Sequence, residues 1–186
     1  MSLPLEPALT HGMRLARRYI TGHDRAGTSI ILASPELLYL DRGGYSISRT
    51  YALTQVPAHL ANDQDVAAYL SPDGQEHPTS YSLGGSQVVV PGGVNFLLGD
   101  FGPSSVTPMH RTVSVDFVVV VEGELILELD NGAQTHLKSG DSVIQRATMH
   151  RWVNPSPQNP ARFVATTVAC VPVESVDHGP ITSSWA

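Results

Sequence analysis

Met109-His110-Arg111-Thr112-Val113-Ser114-Val115-Asp116-Phe117-Val118-Val119-Val120-Val121-Glu122-Gly123-Glu124 is the run that decides the fold. On an extended chain, alternate side chains share a face. His110, Thr112, Ser114 and Asp116 then point one way. Four consecutive same-face positions with polar or ionisable groups, leading into a run of valines, are unusual for a plain core strand. Gly123 breaks the run, which permits a kink or bulge. Leu125, Leu127 and Leu129 then take over the inner face. Asp130-Asn131-Gly132 is a hairpin signal, because Asn-Gly accepts positive φ at little cost. Thr135 to Leu137 returns, Ser139-Gly140-Asp141 turns again, and Ser142 to Gln145 and Arg151 to Val153 read as short strands. His150, Trp152 and Asn154 form a second alternating set, and in a closed barrel the two sets can converge.

Outside this centre the pattern repeats. Arg18 to Ile20 and Thr28 to Leu32 read as strands, with Thr21 to Asp24 turning between them. Glu36 to Arg49 is strand and turn, broken by Gly43-Gly44. Val88 to Val90, Val94 to Leu98 and Arg162 to Val171 are further strands. Asp65 to Leu70 is the best helix, with Asn62 or Asp63 as cap and Val66, Tyr69 and Leu70 on one face. Ser71 to Ser86 is a long loop with two prolines, three glycines and no valine or isoleucine. A loop of that length in a compact domain is mobile or functional, and here it is expected to close over a site. Short strands, each ended by a turn, indicate an all-β sandwich or barrel.

The size and charge of the chain exclude several classes. At 186 residues it fits one domain with an adequate core. The single cysteine, Cys170, rules out an internal disulfide and suits a reducing compartment. Lys138 is the only lysine, the arginines are scattered and the formal net charge is −6, so no basic stripe offers itself to nucleic acid. The longest apolar run, Phe117 to Val121, is far too short for a membrane span. These features describe a soluble, cytoplasmic domain. Residues 1–17 read as an N-terminal extension, 18–173 as the barrel with its motifs in 87–171, and 174–186 as a poorly ordered tail.

The two polar sets resemble the two sequence motifs of the cupin superfamily, small double-stranded β-helix or jelly-roll barrels. His110 matches the first His of the first motif, Asp116 stands for its Glu, and Gly123 follows at the required spacing. Thr112 stands where a second His belongs. His150 and Asn154 match the second motif, while Gln145 and Ala147 replace its Pro and Gly. The similarity spans about Arg18 to Cys170 and is greatest to small single-domain cupins. It implies a cupin barrel with an N-terminal extension and at most one or two short helices. It also implies a divalent metal (Fe, Mn, Ni, Co or Zn) held by His110, Asp116 and His150, with Thr112, Ser114, Gln145 and Trp152 contacting substrate. Two imidazoles and a carboxylate with open positions form the facial set of non-haem iron sites. A hydrogen-bonded His110–Asp116 pair without metal is the alternative, and it also serves acid–base chemistry. The expected partner is a small organic molecule, with Phe96 or Leu98 joining Trp152 as apolar wall. The expected chemistry is lyase or isomerase in type (decarboxylation, dehydration or rearrangement), as in secondary metabolism. An Fe(II)-dependent dioxygenase and a non-catalytic ligand-binding cupin are the alternatives. A homodimer is expected, its N-terminal strands covering a sheet edge.

Overall fold

The computed structural model describes residues 11–33, 35–175 and 179–185. The fold is two facing antiparallel sheets, built almost wholly from the short strands that the turns delimit. The first sheet holds six strands: β3 (Tyr39–Asp41), β4 (Tyr45–Leu53), β5 (Val94–Phe101), β7 (Ser114–Glu122), β10 (Ser142–Arg146) and β12 (Ala161–Ala169), in the order β10-β7-β12-β5-β4-β3. The second holds β6 (His110–Arg111), β8 (Glu124–Leu129), β9 (Gln134–Lys138), β11 (His150–Val153) and β15 (Ser184–Trp185), in the order β15-β6-β11-β8-β9. This is the jelly-roll barrel that the cupin resemblance implies. The ribbon of β1 (Ile20–His23) and β2 (Ser29–Ala33) pairs only within itself, and β13 (Glu174–Ser175) pairs with β14 (Gly179–Pro180).

The polar run is not one strand. It breaks at Thr112 and Val113, so β6 lies in one sheet and β7 in the other. The break sits at the seam of the barrel, and the side chains of His110 and Asp116 still line one interior space. At the far end of β7 the chain changes sheets again within a single residue. Gly123 has φ +72°, and a Cβ there would lie 2.6 Å from the carbonyl oxygen of Pro160. Only glycine meets both demands. Beyond it, Leu125 and Leu127 face inward and pack with Leu97, Phe101, Val118, Val120, Trp152 and Phe163 into the inter-sheet core.

Several local expectations shift. The first turn lies at Asp24 to Gly27, where the Asp24 Oδ1 accepts from the backbone N–H groups of Ala26 and Thr28, so β1 runs on to His23. The helix, α1 (Gln64–Leu70), buries Val66 and Tyr69, but Asp63 at its start is left-handed and makes no side-chain cap. Val88 to Val90 is not a strand. Its carbonyls serve side chains instead: Val88 O accepts from Asn95 Nδ2 and Thr167 Oγ1. The loop of residues 71–86 is fastened rather than free. The buried Arg49 guanidinium reaches Pro78 O at 2.7 Å, Ser80 O at 3.1 Å, Gln87 O at 2.9 Å and Asn95 Oδ1 at 3.2 Å. These four acceptors are neutral, and burial draws the guanidinium pKa down to about 10. The C-terminal tail is also not loose. β15 pairs with β6, placing Trp185 opposite His110, and Ser183 Oγ accepts the Val113 N–H at 3.2 Å. Among the described residues, no helix is long and apolar enough to cross a membrane.

Candidate functional site

Between the sheets lies a cavity of about 80 Å³. Its wall is mostly apolar, with Ile47, Leu97, Phe101, Val118, Trp152 and Phe163 contributing. Into it come His110, Thr112, Asp116 and His150, with Thr107, Thr167 and Arg42 around them. Thr112 and Trp152, expected to touch substrate, line this space. Ser114 and Gln145 are not among its lining residues; each stands behind a residue that is. Phe96 and Leu98 face the other side of β5, Phe96 into solvent and Leu98 into a separate cluster with Leu37 and Tyr39. Their neighbour Leu97 supplies the wall, a shift of parity by one residue.

β7 builds the carboxyl end of the site. Ser114 Oγ lies 2.6 Å from Asp116 Oδ1 and 2.9 Å from Thr112 Oγ1. A serine hydroxyl carries one proton. With that proton donated to the carboxylate, the second contact is donated by Thr112, and the three form a relay from the break before β7 into that strand. Asp116 is buried, and the cost of holding its charge away from water pushes its pKa up to about 6, against the lowering effect of the Ser114 and Thr112 hydroxyls.

β6 and β11 bring in two imidazoles side by side, with ring centroids 4.3 Å apart and planes at 50°. His110 Nδ1 lies 2.8 Å from Pro108 O, which can only accept, so Nδ1 carries the proton and Nε2 the lone pair. His150 Nδ1 lies 3.0 Å from Thr148 O and 2.9 Å from Gln145 Nε2. The Gln145 amide has its own acceptors in the carbonyl and hydroxyl of Thr148. The His150 proton therefore goes to the Thr148 carbonyl, and Nε2 again keeps its lone pair. Gln145 and Thr148 orient this ring. Burial lowers the pKa of both histidines; for His150, burial followed by the neighbouring His110 takes it to about 4. At neutral pH both rings are uncharged.

These imidazoles have the tautomer a metal requires, yet the three-ligand set does not close. One Asp116 oxygen, Oδ1, is held by Ser114, Thr112 stands in place of a second histidine, and Trp185 stacks on His110 at 4.6 Å with planes 5° apart. Among the described residues no group of three His, Cys, Asp or Glu side chains is placed to hold a metal ion. The donors present therefore do not fit the His110–Asp116–His150 centre that the resemblance implies. What they form is a carboxyl with its hydroxyl relay and a pair of neutral imidazoles around one apolar space. Asn154, the last of the second set, lies outside it and ties the chain by donating to Phe101 O, Gly102 O and Asn159 O.

Two residues of the site give no signal in the motifs. Trp185 lies far along the chain from its partner and pairs through only two residues, so no periodicity marks it. Arg42 sits at the mouth in the β3–β4 turn, beside Tyr45, whose own placement follows from the register of β4.

A jelly-roll cup with ionisable groups at its centre defines the class, and comparison with known proteins identifies the family. A model of the cupin domain matches residues 97–167. The chain is 34% identical over 165 residues to phomopsin biosynthesis cluster protein D of Diaporthe leptostromiformis, covering 87% of this chain and 82% of that protein. It is 35% identical over 159 residues to oryzines biosynthesis cluster protein J of Aspergillus oryzae, covering 84% of each. A cupin-domain-containing oxidoreductase of Neurospora crassa is 32% identical over 152 residues, covering 77% and 68%. Among solved structures, a double-stranded β-helix domain protein from Klebsiella pneumoniae aligns over 50% of this chain and 74% of that one, with 24% identity and a TM-score of 0.40. The chain belongs to the cupin family.

Proposed function

We propose that this cupin is an enzyme of secondary metabolism that holds a small organic molecule in the barrel and rearranges it by proton transfer. The observation that carries this reading is the meeting of one carboxyl and two imidazoles in a single apolar cavity. A base works best when its pKa lies near the working pH, and the Asp116 carboxyl is displaced toward that range. In its ionised form it takes a proton from the bound molecule; as the acid it returns that proton to another atom. Ser114, behind the cavity, donates to the Asp116 carboxylate and holds it in place, and the imidazole Nε2 atoms accept hydrogen bonds from substrate hydroxyls. Isomerisation and dehydration need nothing more, and the apolar wall strengthens each of these interactions by keeping water out. Similarity to proteins of two biosynthesis clusters supports the setting.

Similarity to cupin-domain-containing oxidoreductases favours a second reading, oxidation of the same molecule by dioxygen. One experiment separates the two. Small-molecule extract of the source organism is incubated with the protein under nitrogen in deuterated water, and products are followed by mass spectrometry. The expected result is a product that has lost water or carbon dioxide, or only exchanged hydrogen for deuterium, formed by the native protein and not by Asp116→Asn. Products that gain oxygen and form only in air overturn the proton-transfer reading. Binding without any conversion makes the protein a carrier.

A further inference from the structure

The cavity is small for its task. About 80 Å³ holds a few waters, whereas pockets for metabolites run to roughly 300–1,000 Å³. A molecule of that size must displace something, and the structure shows what is easiest to displace. β15 is held to β6 by two paired residues, the Ser183–Val113 hydrogen bond and the Trp185–His110 stack, and the chain leading into it by one backbone bond from Ile181 N–H to Val173 O at 2.8 Å. Its Trp185 lines the cavity but remains 57% exposed. An element with few buried contacts opens at low cost. Most of the remaining wall belongs to strands embedded in the sheets, with Arg42, Thr107 and Thr112 on the connections between them and Gly85 on the loop that Arg49 fastens.

Trp185 also lies in a particular way. Its indole is parallel to the His110 imidazole, at stacking distance. His110 in turn abuts His150, and both line the space that Asp116 lines. A flat ring on His110 is thus at the entrance to the acid–base groups. We propose that residues 181–185 are a strap that gates the cavity, and that the Trp185 indole holds the place of a planar conjugated ring of the substrate. The exposed Arg42 guanidinium at the mouth suits a carbonyl, phenolate or carboxylate on that ring. This deepens the functional reading above by naming the substrate class for the same site.

The test is a binding measurement that needs no turnover. 2-Naphthol and its saturated, puckered counterpart decahydro-2-naphthol are titrated by calorimetry into the native protein, Trp185→Ala and Trp185→Phe. The worth of one aromatic contact sets the scale at about 2- to 10-fold in affinity. Trp185→Ala should gain that factor for 2-naphthol, because the competing ring is gone, and gain little for the saturated probe. Trp185→Phe, which keeps a ring, should fall between. In the native protein, 2-naphthol should shift the Trp185 indole N–H resonance to that of a solvent-exposed tryptophan. Weaker 2-naphthol binding in Trp185→Ala, or equal gains for both probes, overturns the proposal and makes Trp185 a fixed wall. The melting temperature of each variant confirms folding. If the binding results hold while Asp116→Asn leaves conversion intact, the proton-transfer reading fails and the gate stands; the reverse pattern fails the gate alone.

Discussion

Asp116 and His150 titrate in overlapping ranges with opposite consequences. Burial raises the Asp116 pKa from 3.8 to about 6. Between those values the folded protein binds the proton and the unfolded chain does not, so this group makes stability fall as pH rises. The shift corresponds to roughly 3 kcal/mol of destabilisation at neutral pH. His150 moves the other way, from 6.5 to about 4. There the unfolded chain binds the extra proton, so stability is lost as pH falls. The two effects offset each other between about pH 4 and pH 6. In Asp116→Asn the carboxyl cost is gone while its oxygen still accepts from Ser114. The variant should be more stable than the native protein at pH 7, by up to roughly 3 kcal/mol, and should lose that advantage as pH falls from about 6 toward 3.8 and the native Asp116 takes up its proton. Urea unfolding across this pH range checks it; a variant less stable at pH 7 shows that the carboxylate is not strained. Strand parity places these residues on one face, and His110, Thr112 and Asp116 do line one space, although the break at Thr112 and Val113 brings His110 and Asp116 there from facing sheets rather than along one strand. Parity could not say that Ser114 and Gln145 stand behind that space, because depth depends on how the sheets curve.

At the scale of elements, the turn-delimited strands were readable and the devices joining them were not. Asn-Gly turns and leucine alternation place β8 and β9 correctly, since both signals are local. The sheet change at Gly123 shows in the sequence only as a broken run; its strictness comes from Pro160 and Ala161, brought there by β12. Gly123→Ala must adopt positive φ with its Cβ against a carbonyl oxygen. It should lower stability by about 2–4 kcal/mol, read as a lower urea midpoint with unchanged slope. A neutral result means that β7 and β8 can separate at the crossing. The composition of residues 71–86, which lacks valine and isoleucine, points to a closing lid. Composition could not reveal that Arg49, in the middle of a strand, turns inward to hold two of the loop's carbonyls, Pro78 O and Ser80 O, and that of Gln87 just beyond it. The gating role passes instead to the C-terminal strap, whose brief pairing leaves no pattern to detect.

For the whole molecule, the fold rests on an inter-sheet core that uses no metal ligand: Leu97, Phe101, Val118, Val120, Leu125, Leu127 and Phe163 hold the sheets together. Dialysis against EDTA should therefore leave the melting temperature unchanged, and the proton-transfer activity with it. Elemental analysis and a melting curve before and after treatment test this. Activity lost on chelation and restored by Fe, Mn, Ni, Co or Zn would instead show that the imidazole pair recruits a metal with ligands from solvent or substrate. The two tryptophans of the chain carry a separate consequence. Trp152 is buried between Phe163 and His150, and Trp185 lies half in water at the mouth. The buried indole emits to the blue and the wet one to the red. Every event in the cavity passes between them, so the protein carries its own two-colour optical reporter and needs no dye to be watched at work.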